Sequence, residues 1–101
     1  MKTVVEWSDR VRRELRGVRS FLQERSPQAA AHLAALIARR ARRLERFPKS
    51  GRIVPEFPGS QPPLRELIIA DYRLVYTYSD RRVKILTLFH GRRDFLKAVQ
   101  H

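Results

Sequence analysis

Three side chains between Leu64 and Asp94 have the types that do chemistry: the carboxylate of Glu66, the guanidinium of Arg73 and the imidazole of His90. On one surface they would make a catalytic candidate, so the first question is whether they share a face. The stretch LRELIIADYRLVYTYSDRRVKILTLFHGRRD holds three strand-like runs separated by two short polar breaks, with the alternation of a half-buried strand in the middle run. Ala70-Asp71 and Asp80-Arg81 sit at the centres of the breaks. If each is a hairpin loop with an even number of residues, register follows by arithmetic. Ile69 then opposes Tyr72, Leu67 opposes Leu74 and Ile68 opposes Arg73. In the second hairpin Ser79 opposes Arg82, Val75 opposes Leu86 and Arg73 opposes Leu88.

That register assigns Leu67, Ile69, Tyr72, Leu74, Tyr76, Tyr78, Val83, Ile85 and Phe89 to one face, apolar enough to be the covered side. The other face carries Glu66, Ile68, Arg73, Val75, Leu86, Leu88 and His90, with His90 diagonal to Arg73. The inference is conditional, because an odd loop would reverse His90 relative to Arg73. Each residue also has a structural alternative. Arg73 can pair with Glu66 across the sheet, and a histidine at a strand end is often only a hydrogen-bonding residue. An arginine in a central strand is costly unless paired or open to solvent, which makes Arg73 the leading candidate.

The elements that position these residues are legible upstream. Lys2 to Trp7 reads as a short strand. Ser8 is an N-cap, Asp9 lies in the first turn, and Val11, Leu15, Val18 and Leu22 form one apolar stripe of a helix ending near Glu24 or Arg25. Ser26-Pro27 starts a second helix, with Ala30, Leu33, Ile37, Ala41 and Leu44 as its stripe and Leu36 broadening it. This helix must stop before Pro48. The short connection predicts an antiparallel helical hairpin. Phe47 to Pro63 is a proline-rich loop, either functional or a packed Ω-type excursion, in which Glu56 reads by default as a solvated carboxylate. Residues from Arg92 onward are expected to form a short terminal helix.

The chain has 101 residues, enough for one domain over residues 1–101 with one core. It has no cysteine, which excludes disulfides and thiolate chemistry. No apolar run suits a signal peptide or a membrane span, so a cytoplasmic location is expected. Twenty-two basic residues against ten acidic ones give a net charge of +12, a balance that favours nucleic acid, ribosome or acidic protein partners. The densest part is Arg39, Arg40, Arg42, Arg43, Arg46, Lys49 and Arg52, either a solvated helix face or a contact surface.

In order and spacing, several pieces resemble the RelE/ParE superfamily of toxins from type II toxin–antitoxin modules. They are the first strand ending in Trp7-Ser8, the helical hairpin, Phe47-Pro48, Gly51-Arg52-Ile53-Val54-Pro55-Glu56 and Arg65-Glu66-Leu67. Tyr72-Arg73-Leu74-Val75-Tyr76 and His90-Gly91-Arg92-Arg93-Asp94 complete the set. The resemblance covers nearly the whole chain. It implies an α+β fold in which a helical hairpin packs on a mainly antiparallel sheet of three to four strands. It further implies a plasmid-stabilising type of module with a cognate antitoxin, whose acidic amphipathic segment would cover the toxin.

The superfamily divides by mechanism. ParE-like members inhibit DNA gyrase, whereas RelE-like members cut mRNA in the ribosomal A site. Metal-free RNA cleavage needs a base, a cation for the developing phosphorane charge, and an acid. In YoeB-like nucleases those roles belong to positions matched here by Glu56, Arg73 and His90. RelE's own lysines and tail tyrosine have no counterparts: the matching strand offers Arg65, and Phe95 follows Arg93 without a tyrosine. The long hairpin with an alanine-rich second helix looks more ParE-like. The implied reading is gyrase inhibition, with ribosome-dependent mRNA cleavage as the alternative and a generic nucleic-acid-binding module as a third. Arg65, Glu66, Arg73, Leu86, Leu88, Arg92 and Arg93 are the residues expected to meet target or antitoxin. No metal or cofactor is implied.

Overall fold

In a computed structural model describing residues 3–91, the chain runs β1 (Val4–Trp7), α1 (Asp9–Arg25), α2 (Pro27–Arg42), β2 (Arg52–Ile53), β3 (Leu64–Ile69), β4 (Tyr72–Ser79) and β5 (Arg82–His90). The strands form one sheet in the order β1-β5-β4-β3-β2, antiparallel except for the parallel β1–β5 pair. It has one strand more than the three to four expected. The extra one is β2, too short to show any periodicity in sequence. The terminal helix expected from Arg92 onward lies outside the described residues.

Both helices start where the serines place them. Ser8 Oγ accepts from the Val11 backbone N–H at 3.1 Å and donates to the Leu86 carbonyl at 2.9 Å, so one side chain caps α1 and ties it to β5. Ser26 Oγ accepts from the Ala29 N–H at 3.2 Å, with Pro27 at the first helical position. A 3₁₀ turn, Arg43–Glu45, ends the second helix ahead of Pro48. The apolar stripes converge on one face of the sheet, where Val11, Leu33, Ile37, Leu44, Leu67, Ile69, Leu74, Tyr76, Val83 and Ile85 form the main core.

The second face is covered as well. Val75 and Phe89 alternate with core residues along their strands and therefore point away from the helices. There they join Val54, Leu64 and Phe57 in a smaller cluster, so the proline-rich loop folds back as a packed excursion. Gly51 makes this possible. Its N–H donates to Tyr76 Oη at 2.8 Å, and that hydroxyl donates to the Pro48 carbonyl at 2.9 Å. A Cβ at position 51 would sit 2.6 Å from the Tyr76 hydroxyl and 2.7 Å from the Glu66 carbonyl oxygen. Arg65 pins the same loop by donating to the carbonyls of Gly51 and Lys49.

The first hairpin has the expected register, with Ile69 opposite Tyr72 and Ile68 opposite Arg73. The second begins as expected, with Ser79 opposite Arg82, and then departs. Tyr76 pairs with Ile85, but Val75 pairs with Thr87, leaving Leu86 as the extra residue of a β-bulge. Val75 therefore does not face Leu86, and Arg73 opposes Phe89 rather than Leu88. One inserted residue exchanges the two faces for everything beyond it. Leu88 belongs to the helix-side core, and Phe89 moves to the face of Arg73.

Candidate functional site

The feature that stands out on the second face is a chain of four charges. Glu66 projects from β3 and is fully buried, with 0% of its side chain exposed. Its Oε1 accepts from Arg73 Nε at 2.6 Å, and its Oε2 accepts from Arg52 Nε at 2.6 Å. Beyond the loop's Val54, Glu56 reaches back to the same arginine. Arg73 Nη1 and Nη2 each donate to one oxygen of Glu56 at 2.9 Å, a bidentate fork. Below the guanidinium lies the Phe89 ring, 5.5 Å from its centroid. Arg73, 9% exposed, is thus held by two carboxylates and an aromatic face.

Sequence placed Arg73 in a central strand and noted that it must be paired or solvated. It is paired, with Glu66 as one structural alternative had it, but the pair is buried rather than exposed. Glu56 is not a solvated loop carboxylate. Arg73's hydrogen bonds hold the Glu56 carboxyl below its ordinary range, against the opposing effect of desolvation. In return, Glu56 above all, and then Glu66, stabilise the Arg73 cation.

His90 lies elsewhere. The bulge puts it opposite Tyr72, whose ring meets the imidazole edge-on at a centroid distance of 5.6 Å. Tyr72 and Arg73 alternate along β4, so His90 is on the helix side and Arg73 on the loop side. Its surroundings are a cleft of about 480 Å³ lined by Glu14, Val18, Phe21 and Leu88. The shared face expected for Glu66, Arg73 and His90 is therefore corrected: Glu66 and Arg73 are joined, with Glu56 added, and His90 is on the opposite side.

The remaining candidates divide similarly. Leu88 is 2% exposed within the core, and Leu86 is the half-buried bulge residue that takes the Ser8 hydroxyl bond, so neither presents an outward apolar surface beside Arg73. Ile68 does stand exposed on that side. Arg65 anchors the loop, and Arg92 and Arg93 lie outside the described residues. Two residues were missed as members of this framework. Arg52 was read as part of the basic run and of the Gly51–Glu56 stretch but not as a partner of Glu66, although its position opposite Glu66 is what completes the charge chain. Glu14 was passed over beside the α1 stripe. It accepts from the Leu88 N–H at 3.0 Å and from Thr87 Oγ1 at 2.9 Å, satisfying the part of β5 that four-residue β1 leaves unpaired.

Chemically, the arrangement is a clamp more than a reaction centre. A carboxylate held in its ionised form by a bidentate arginine is a weak proton acceptor, and an arginine already matched by two carboxylates has little charge left for a phosphorane. Among the described residues no group of histidine, cysteine, aspartate or glutamate could hold a metal ion, and no helix is long and apolar enough to cross a membrane.

A helical hairpin laid on a mixed sheet and sealed beneath by a loop clamped to Arg73 makes a small α+β protein with the architecture that the resemblance implied. The family model for the ParE toxin of the type II toxin–antitoxin system parDE matches residues 5–95, and the chain belongs to this family. A relative from Sinorhizobium fredii (strain NBRC 101917 / NGR234), named "Putative toxin Y4kP", is 32% identical over 92 residues, spanning 90% of this chain and 91% of its own. A solved structure described as a chromosomal ParDE TA system from P. aeruginosa superposes with a TM-score of 0.71. It covers 87% of this chain and 95% of that one at 14% identity, a likeness of fold.

Proposed function

We propose that this ParE-family toxin arrests growth by binding and inhibiting DNA gyrase, and that a cognate antitoxin neutralises it. The observation that carries this reading is the engagement of Arg73 by Glu56 and Glu66 with His90 on the opposite face. The three groups that would divide base, cation and acid roles in RNA cleavage are not arranged around one substrate position. The matched family supports the same choice. Binding requires a rigid surface rather than an acid–base pair, and a sheet packed on both faces supplies one.

The antitoxin is expected to bring an acidic amphipathic segment. Its charge would complement +12 and speed association, while its apolar side would cover exposed residues such as Ile68. With these partners the toxin would act in the cytoplasm. The alternative, ribosome-dependent mRNA cleavage, has the contact between Glu56 and Arg73 in its favour. A supercoiling assay that also reads cleaved DNA, run beside primer extension on ribosome-bound mRNA, separates the two. Gyrase inhibition without A-site cuts is the expected result, and A-site cuts with unaffected gyrase would reverse the assignment.

A further inference from the structure

The arginines of the helical hairpin take no part in the clamp or the core. Arg13 and Arg16 on α1, and Arg39, Arg42 and Arg46 at the end of α2 and its 3₁₀ turn, are all exposed. An antiparallel hairpin brings the first half of α1 beside the last half of α2, and the 3₁₀ turn lies against β1, which feeds α1. The five guanidinium groups are therefore gathered at one end of the helical layer. Among the described residues, none of the ion pairs reaches any of them. Glu6, Glu14, Glu56 and Glu66 are engaged by Arg82, the β5 edge and Arg73. Asp9 and Glu45, the acidic residues at this end, enter none of the ion pairs among the described residues.

Like charges three and four residues apart weaken a helix. The helix dipole offsets this for the last turn of α2, but it does nothing for Arg13 and Arg16. The like-charge pairs Arg13/Arg16, Arg39/Arg42 and Arg42/Arg46 thus oppose the helices, and none of the ion pairs among the described residues offsets them. We propose that this end of the helical hairpin is a contact surface for the phosphodiester backbone of duplex DNA, whichever target the toxin acts on. Arginine forks fit phosphate oxygens, and two neighbouring helices present them in two rows. An acidic protein partner would also need apolar anchors among the charges. Between the rows α2 exposes only Ala35 and Ala38, the exposed Phe47 beside Arg46 lies under the Arg43 guanidinium, 5.8 Å from its ring centroid, and Ile53 and Ile68 stand out on the β2–β3 side of the sheet.

The test is fluorescence anisotropy of the full chain with a labelled duplex of arbitrary sequence, titrated from about 50 to about 200 mM salt. Arg39→Gln/Arg42→Gln is compared with Arg19→Gln/Arg25→Gln, which removes the same charge from exposed positions towards the other end of the helical hairpin, and circular dichroism verifies that both fold. The hairpin variant should weaken binding at every sequence and reduce the slope of log K against log salt by about 2, while the control leaves the slope within about 0.5. Equal losses in the two variants would overturn the proposal, since net charge alone would then account for binding. It is equally overturned if wild type shows no duplex binding, or if polyglutamate of matched charge binds as tightly as the duplex.

Discussion

Arg73 and Glu56 meet through two parallel hydrogen bonds of 2.9 Å, across a loop that would otherwise leave the second face of the sheet open. This fork lets a proline-rich segment of irregular backbone behave as a fixed layer. It also explains how a family strand with an arginine at its centre can be central and buried: the charge is matched on both sides before it leaves water.

Removing that arginine should therefore be costly. Arg73→Ala strands the fully buried Glu66 with Arg52 as its remaining partner and releases Glu56. Breaking one side of a buried ion pair costs about 3–5 kcal/mol. Urea unfolding should show a loss of that order, whereas Arg82→Ala, which breaks an exposed pair with Glu6, should change stability by under about 1 kcal/mol.

Glu56 ties stability to acid. Its carboxyl is held below the ordinary value of 4.5, chiefly by the Arg73 bonds, so the folded state favours the ionised form. The stabilisation is complete above 4.5 and is lost as pH falls through the folded-state value. The melting temperature of wild type should exceed that of Glu56→Gln at neutral pH, and the gap should close on acidification. A gap that stays constant with pH would show that the ionised fork contributes nothing.

At Gly51 the expected effect is steric. A methyl group there collides with the Tyr76 hydroxyl and with the backbone oxygen of Glu66, and neither neighbour can swing away. Gly51→Ala should cost about 1–3 kcal/mol, the range for an overpacked site, measured by thermal or urea unfolding.

The β4–β5 turn offers a gain. Asp80 and Arg81 both sit in the left-handed region, with φ of 51° and 60°. That backbone suits Asn-Gly. Asp80→Asn/Arg81→Gly should raise stability by about 0.5–1 kcal/mol in a melting experiment, because neither replacement strains the observed turn.

How far the chain could be read follows from where its signals are local. Ser8, Ser26-Pro27 and the two stripes specify the helical hairpin because capping and a 3.6-residue period act over one or two turns. The first strand hairpin is equally plain, since Ala70-Asp71 closes it with an even loop. The second fails at Leu86. A bulge of this kind needs no glycine, so LTLFH reads as uninterrupted strand, and the slip transfers His90 from one face to the other. Glu56 was recognisable only through resemblance, because its partner lies 17 positions away and the loop between them has no periodicity. Glu14 answers a need set by the length of β1, which no residue near it announces.

The most direct measurement is a gyrase supercoiling assay with purified toxin, reading both loss of supercoiling and accumulation of cleaved DNA. Wild type and His90→Ala should inhibit alike, since His90 faces the helix-side cleft and performs no proton transfer in this reading. The contradicting result is unaffected gyrase together with A-site cleavage of ribosome-bound mRNA that Glu56→Gln or His90→Ala abolishes.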